Sequence, residues 1–242
     1  IKSISKTYDK KTVLNAVDLT IGDQSAACIV GRNGSGKSTL LSILAGILKP
    51  DGGEILFDGV PVSEKRAAKN IGFVMQYDSL FEDLSVKDNL NFWAAAAGIR
   101  AKSSIENRFV ALLGLSDFMH KKVKTLSGGM QRRAAICSAL ISDPKYIILD
   151  EPFAGLDLFY KSELIGYLKT LRDLGKTIVY TCHNSDEIIG LSDDLFVIDK
   201  AKIVFHKKSG ALALGGADIN GFLINLINGE DFLDGRKQQQ QP

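Results

Sequence analysis

A glycine-rich segment near the N-terminus has the residues needed to bind a phosphorylated nucleotide. Residues 31–39 read GRNGSGKST, an uninterrupted GxxxxGKS pattern. Glycines in such a loop tolerate positive φ angles and let backbone N–H groups approach a phosphate closely. In this pattern Lys37 reaches the β- and γ-phosphates, and the Ser38 hydroxyl binds Mg²⁺. The segment therefore predicts a binding site for a nucleoside triphosphate with its metal ion.

Two carboxylates directly follow an apolar run. Residues 146–149 (YIIL) read as a buried strand, and Asp150 and Glu151 come next. A carboxylate at the carboxyl end of a strand, in a chain that has a phosphate loop, suits Mg²⁺ held through water. Glu151 is then placed to polarise a water that attacks the terminal phosphate. A surface Asp-Glu turn is the alternative interpretation of this pair taken alone.

Gln76 and His183 also follow short apolar runs, at residues 70–75 and 177–182. Polar side chains at the carboxyl ends of strands in an α/β sheet lie on the ligand side. Both are therefore candidate site residues. For the histidine, a purely structural role is the alternative, since a lone histidine is more often structural than catalytic.

The elements that must position these residues alternate between strands and helices. The run 26–30 predicts a buried strand before the loop, and apolar residues at helical spacing over 40–48 predict a helix after it. Period-two alternation over 17–21 and a short run at 54–57 predict antiparallel strands added to a parallel core. Residues 195–205 predict a hairpin that closes one edge of the sheet.

Residues 77–141 have a helical character without strand-like runs, which predicts an inserted helical subdomain. Ser85 and Asp88 form a capping-box pattern at a helix start. Ser127 is a candidate N-cap before the glycine pair 128–129, so this helix start offers backbone donors for a second anion. A Ser-Gly-Gly turn without a ligand is the alternative.

The composition is typical of a soluble globular protein. The chain has 242 residues, 45% of them hydrophobic, and a formal net charge of +2. This near balance gives no bulk electrostatic signal for nucleic acid, and no nucleic-acid partner is expected. The apolar runs are shorter than the roughly 18 residues that span a bilayer. Three cysteines without CxxC spacing predict buried free thiols, and residues 236–242 predict a disordered tail.

The order and separation of these motifs resemble those of the ATP-binding-cassette (ABC) ATPase family. The phosphate loop, Gln76, LSGGM at 126–130, the Asp-Glu pair, AGLD at 154–157 and His183 follow one another within about residues 8–187. The resemblance implies an α/β fold, with a P-loop NTPase core of mixed, mainly parallel sheet and flanking helices, an N-terminal antiparallel β region and an inserted α-helical subdomain. The expected parts of this single domain, 1–242, are the core at 1–76 and 142–206, the helical subdomain at 77–141, and a C-terminal helical segment and tail at 207–242.

The resemblance also implies a role for each motif residue. Tyr8 corresponds to the aromatic side chain that stacks on adenine, with an exposed loop tyrosine as the alternative. The residues expected to act in catalysis are Lys37, Gln76, Glu151 and His183. Those expected to hold Mg²⁺ are Ser38, Gln76 and Asp150. Those expected to contact ATP are Tyr8, Gly31, Arg32, Asn33, Gly34, Ser35, Gly36, Lys37, Ser38, Thr39, Ser127, Gly128, Gly129 and Asp157.

In this family two cassettes face each other head to tail and enclose two ATP molecules between them. The resemblance therefore implies a second ABC ATPase subunit as partner, identical or a close paralogue. It also implies a transmembrane permease that contacts residues 77–93, and a peripheral location on the cytoplasmic face of the cell membrane. The chain would then be an Mg-dependent ATPase that energises transport.

Two short segments bear on the direction of transport and on the subclass of transporter. Residues 89–98 (NLNFWAAAAG) and the GGMQRR stretch at 128–133 resemble most a stand-alone ATPase subunit of a bacterial exporter. An importer ATPase subunit, or a soluble member of the superfamily acting on ribosomes or DNA, is the alternative. The soluble members generally have a second cassette or long coiled coils, and this sequence has neither. A catalytically silent module is disfavoured because Lys37, Glu151 and His183 are all present.

Overall fold

The computed structural model describes residues 1–61, 70–76, 80–99, 108–208 and 221. The strands of this part of the chain are β1 (Lys2–Tyr8), β2 (Lys11–Val17), β3 (Ala26–Val30), β4 (Gly52–Glu54), β5 (Leu56–Phe57), β6 (Val60–Pro61), β7 (Ile71–Val74), β8 (Tyr146–Leu149), β9 (Thr177–Thr181), β10 (Asp194–Asp199) and β11 (Lys202–Lys208). Its α-helices are α1 (Lys37–Leu44), α2 (Val86–Ala96), α3 (Arg108–Leu112), α4 (Gly128–Ala139), α5 (Leu158–Asp173) and α6 (Ser185–Leu191). The predicted α/β class is confirmed.

The central sheet has the strand order β11-β10-β3-β9-β8-β7 in the described part of the chain. The five strands from β10 to β7 are parallel, and β11 pairs with β10 in the antiparallel direction at the edge. Every residue of β3 and β9 is buried, which explains why AACIV is wholly apolar and why TIVYT has apolar residues between its two terminal threonines. Because the strands are parallel, the residues that follow β3, β7, β8 and β9 reach the same edge of the sheet.

Successive residues of β3 pack into two different hydrophobic cores. Ala26, Cys28 and Val30 belong to a cluster that includes apolar side chains of α4 and α5. Ala27 and Ile29 belong to a second cluster, together with α1 and the strands β1 and β2. The period-two alternation of a strand therefore places the central sheet between two apolar layers.

The predicted antiparallel region at the N-terminus is confirmed, but the strand expected at 17–21 is wrong. Strand β1 pairs antiparallel with β2 and with β4. Strand β2 ends at Val17, and Leu19 instead forms backbone hydrogen bonds with Ile1. Burial still alternates along 17–20. The period-two pattern therefore indicates an extended segment with one buried face, and such a segment need not pair with a neighbouring strand.

Two other elements are shorter than the sequence predicts. Helix α1 ends at Leu44 and does not continue to 48, because Gly46 takes a left-handed φ of +73°. The run 54–57 is divided between β4, which pairs with β1, and β5, which pairs with β6.

The described residues between 80 and 141 have the predicted helical character, with turns and one isolated antiparallel bridge between Ser85 and Lys122. Ser85 caps α2, accepting a hydrogen bond from the Asp88 N–H at 3.1 Å. The hairpin of β10 and β11 turns at Lys200 and Ala201, which both take positive φ, and it provides the predicted edge of the sheet. The expected helix and tail beyond 208 lie outside the described residues, apart from residue 221. None of the described helices has the length and apolar character needed to cross a membrane.

Candidate nucleotide-binding and catalytic site

The segment 31–39 forms the loop between β3 and α1 and the first residues of α1. Gly31 and Gly36 of this loop have no space for a side chain. A Cβ atom on Gly31 would lie 2.3 Å from the carbonyl oxygen of Ile198. Gly36 has a φ of +105°, and a Cβ there would lie 2.8 Å from the Val13 carbonyl oxygen. Gly36 is also the N-cap of α1 and gives it no side-chain cap, so N–H groups of the first turn are available to an anion.

Lys37 is the first residue of α1, and its ammonium group folds back over the loop. Its Nζ donates to the carbonyl oxygens of Gly31 at 2.8 Å and Arg32 at 3.1 Å. Burial lowers the pKa of Lys37 below its usual range, while the charges of Glu151 and Asp150 act in the opposite direction. A buried cation whose described partners include two carbonyl groups is well placed to receive the charge of a phosphate.

The other loop residues differ in their exposure. Arg32, Asn33, Gly34 and Ser38 are exposed, and Thr39 is half-buried. The half-buried Ser35 donates its N–H to the Arg32 carbonyl at 3.1 Å, and its buried Oγ has no hydrogen-bond partner among the described residues.

A cleft of about 660 Å³ opens beside the loop. Its walls come from strands β1 and β2, from the loop with the start of α1, and from the segments that follow β7, β8 and β9. The lining residues are Tyr8, Val13, Asn33, Gly34, Gly36, Lys37, Ser38, Thr39, Gln76, Glu151 and His183. Tyr8 is 44% exposed and lies on the wall formed by β1, as a side chain free to stack on a base would.

Glu151 lies at the centre of a hydrogen-bonded group at one end of the cleft. Its Oε2 accepts from Gln76 Nε2 at 3.0 Å, and its Oε1 lies 3.0 Å from His183 Nε2. Its backbone takes a φ of +46°, which is unfavourable for a residue other than glycine. Three residues that are distant in sequence therefore bring an acid-base group, an amide and an imidazole together beside the phosphate loop.

Asp150 is buried next to this group, and Thr181 connects the two carboxylate residues. The Thr181 hydroxyl donates to Asp150 Oδ1 at 2.7 Å and accepts the backbone N–H of Glu151 at 2.8 Å. Sequence reasoning did not identify Thr181, although its place at the end of β9, on the ligand edge, was an available signal.

The residues at the start of α4 do not line this cleft. Ser127 and Gly128 are exposed, and Ser127 caps α4 by accepting the Met130 N–H at 3.3 Å. Gly129 is buried, and a Cβ on it would lie 2.6 Å from Cγ of Tyr160. Asp157 is likewise absent from the residues lining the cleft; it caps α5 through the Tyr160 N–H at 3.0 Å.

Comparison with known proteins decides the family. The family model described as ABC transporter matches residues 14–154, more than half of the chain, including the loop and both carboxylates. The chain belongs to the ABC transporter family. As an ABC ATPase it binds ATP and hydrolyses it, and it is the ATPase subunit of a transporter.

Relatives of this ABC subunit match along nearly its whole length. The linearmycin resistance ATP-binding protein LnrL of Bacillus subtilis is 31% identical over 238 residues, which cover 96% of this chain and 76% of that protein. The probable sulfate/thiosulfate import ATP-binding protein CysA of Chlorella vulgaris is 34% identical over 231 residues, covering 94% and 97%. Both are named as ATP-binding proteins, one for linearmycin resistance and one for sulfate/thiosulfate import.

A solved ABC structure has the same fold at a similar level of identity. The dimeric post-hydrolysis state of the ATP-binding cassette MJ0796, bound to ADP and Pi, has a TM-score of 0.75 and 28% identity. The match covers 86% of this chain and 97% of that one.

Proposed function

We propose that this chain energises a membrane transporter by closing on ATP together with a second cassette and reopening after hydrolysis. The observation that carries the proposal is the Glu151 carboxylate, held by Gln76 and His183 at the end of the phosphate cleft. A carboxylate in this position suits a general base for a water that attacks the terminal phosphate. The strand β8 places Glu151 there, and Thr181 holds its backbone N–H.

In this proposal the motif residues divide the work of binding ATP and of hydrolysing it. The loop N–H groups and Lys37 bind the phosphates and hold the negative charge that develops on them. Glu151 takes a proton from the attacking water, and Gln76 and His183 orient the Glu151 carboxylate. Tyr8 stacks on the adenine. The remaining loop contacts to ATP come from Gly31, Arg32, Asn33, Gly34, Ser35, Gly36, Ser38 and Thr39.

The residues present also fit a magnesium ion. The Ser38 hydroxyl and the Gln76 amide line the cleft, and the Asp150 carboxylate directly precedes Glu151. Hydroxyl, amide and carboxylate oxygens are the hard ligands that Mg²⁺ prefers. Bound with ATP, Mg²⁺ would offset phosphate charge. We propose Ser38, Gln76 and Asp150 as its protein ligands.

The position of the Ser-Gly-Gly start of α4, outside the cleft of its own chain, supports a role for a second cassette. Ser127 and Gly128 are exposed at a capped helix N-terminus, which is a favourable place for an anion. We assign Ser127, Gly128 and Gly129 to the nucleotide bound by the partner subunit, and Asp157 to the same interface. The partner is a second copy of this chain or a close paralogue.

Exposed apolar side chains near α2 support contact with a transmembrane permease. Phe81, Leu84 and Phe92 are between 40% and 47% exposed, and the rings of Phe81 and Phe92 are 4.8 Å apart. An exposed apolar surface of this kind suits a short helix of a membrane partner. Docking there places the subunit on the cytoplasmic face of the cell membrane. Residues 77–79 of the expected contact region lie outside the described residues.

We propose export as the direction of transport, on the likeness of 89–98 and 128–133 to exporter subunits and on the resistance name of the LnrL relative. The similarly related CysA is named for import, so identity alone does not separate the two directions. Purification of the chain from detergent-solubilised host membranes identifies its permease, whose substrate flux in vesicles gives the direction. Bound ribosomal or DNA-associated proteins in place of a permease would favour the soluble alternative.

The variant Glu151→Gln tests the mechanism. We expect it to bind Mg-ATP, to lose at least about a hundredfold in turnover because the base is removed, and to accumulate as a dimer. Turnover is measured as phosphate release, and mass by light scattering with and without Mg-ATP. Glu163→Gln is the matched control, since Glu163 pairs with Arg133 away from the cleft. A Glu151→Gln protein that stays monomeric at saturating Mg-ATP would contradict the two-cassette mechanism.

A further inference from the structure

Arg132 is a buried cation on α4 that reaches across to the sheet. It is 5% exposed and lies five residues after Ser127, the N-cap of α4. Its guanidinium donates to the carbonyl oxygens of Met75 at 2.9 Å, Asp150 at 2.8 Å and Pro152 at 3.2 Å. These are charge-assisted hydrogen bonds in a buried environment, where such bonds are strongest.

The three carbonyl groups flank the two residues at the centre of the site. Met75 directly precedes Gln76, while Asp150 and Pro152 stand on either side of Glu151. The guanidinium therefore holds the segments after β7 and β8 in a fixed relation, and Gln76 and Glu151 are themselves joined at 3.0 Å. The unfavourable φ of Glu151 needs such support from its surroundings.

We propose that Arg132 is a positioning residue for hydrolysis, which holds the backbone of Gln76 and Glu151 so that the carboxylate can act on water. Arg132 does not line the cleft and acts through those two residues. The proposal rests on the proposed role of Glu151. Its buried, hydrogen-bonded side chain also connects the helix α4, whose start we assign to the partner's nucleotide, to this chain's own Glu151.

The adjacent arginine provides a matched control. Arg133 is on the same helix and is also largely buried, but its guanidinium contacts the Leu113 carbonyl, the Tyr167 hydroxyl and Glu163. These contacts connect α4 with α5 and with the end of α3. A general loss of packing around α4 would therefore affect variants of both arginines.

The test compares Arg132→Lys, Arg132→Gln and Arg133→Lys. Lysine keeps the charge but lacks the planar fork that reaches three carbonyl groups at once, and glutamine has a single amide donor group. We expect Arg132→Lys to lower kcat about ten- to a hundredfold, with KM and the dissociation constant of a fluorescent ATP analogue nearly unchanged. Arg132→Gln should lower kcat further, and Arg133→Lys should leave it close to wild type. Urea unfolding establishes that each variant is folded.

The role of Arg132 is tested separately from the proposed function by making Arg132→Lys in a protein that already has Glu151→Gln. In a Glu151→Gln protein, Arg132→Lys should change the residual turnover little, because the group it positions is already gone. Unchanged kcat in Arg132→Lys and Arg132→Gln, an equal loss in Arg133→Lys, or an undiminished loss in the Glu151→Gln background would each overturn the proposal. If Glu151→Gln itself keeps wild-type turnover, the proposed function fails, whatever the Arg132 variants do.

Discussion

At the scale of single residues, the side chains at the cleft form hydrogen bonds with one another and with the loop backbone. Lys37 donates to two loop carbonyl groups, and Glu151 is shared between Gln76 and His183. Carbonyl groups carry no net charge, so the two loop contacts of Lys37 do not neutralise its ammonium group, which stays able to bind a phosphate.

Lys37→Ala should weaken ATP binding about ten- to a hundredfold, because it removes one charge-assisted contact to the phosphates. The loss should be largest for ATP, smaller for ADP and least for adenosine, which has no phosphate. Isothermal titration calorimetry measures all three affinities. Lys49→Ala, an exposed lysine just beyond α1, is the control. An unchanged affinity for ATP in Lys37→Ala would show that the ammonium does not contact the phosphates.

At the scale of elements, the contact between α4 and α5 explains why one glycine of the pair must be a glycine. Gly129 is buried beneath the ring of Tyr160, whereas a Cβ on Gly128 would meet no atom within 4 Å. Tyr160 is itself fixed, since its N–H is bound by Asp157 and its ring lies 5.5 Å from the Arg133 guanidinium. The packing of α4 against α5 therefore requires a glycine at position 129, although the conformation of α4 itself does not.

Gly129→Ala should lower the free energy of unfolding by about 1–3 kcal/mol, since the added methyl group overpacks the contact with Tyr160. Combining it with Tyr160→Ala should recover part of that loss, and a double-mutant cycle measured by urea unfolding gives the coupling energy. Gly128→Ala is the matched control and should be neutral or slightly stabilising, because alanine favours a helix. Additive losses would mean that Tyr160 is not the group that excludes a side chain at 129.

At the scale of the whole molecule, a network around Asp143 ties the helical region to the central sheet. Asp143 lies between α4 and β8, and its carboxylate pairs with Arg108 of α3 at 2.9 Å and with the buried Lys176 next to β9. Burial raises the pKa of Asp143, but the hydrogen bond and charge of Lys176, with Arg108, outweigh it and hold the pKa below its ordinary value.

Asp143→Asn should lower the free energy of unfolding by about 1 kcal/mol at neutral pH, a modest value because the side chain is more than half exposed to screening solvent. A depressed folded-state pKa contributes stability above the unfolded-state pKa, and that stability is lost as the pH falls through the folded-state pKa. The difference from wild type should therefore shrink in acid, as urea unfolding over a pH series measures. Asp173→Asn, at an exposed carboxylate paired with its neighbour Arg172, is the control. A difference that does not change with pH would exclude the Asp143 charge as its source.

The sequence alone determined the elements around the site and the residue types available there. Local signals were enough for this: the glycine loop, the buried runs of β3, β8 and β9, and the cap at Ser127 depend on neighbours within a few positions. The alternation at 17–21 led to a wrong prediction of a strand. It indicates that one face of the segment is buried, but it does not indicate whether a neighbouring strand pairs with that segment.

Only the tertiary structure decided which residues meet. The parallel order of β3, β9, β8 and β7 brings the loop, His183, Glu151 and Gln76 to one edge, although up to 152 positions separate members of this group along the chain. The partners of Thr181, Arg132 and Gly129 are equally non-local, since their contacts lie on other strands and helices. Such contacts arise from how whole elements pack, and the periodicity of any one segment does not encode them.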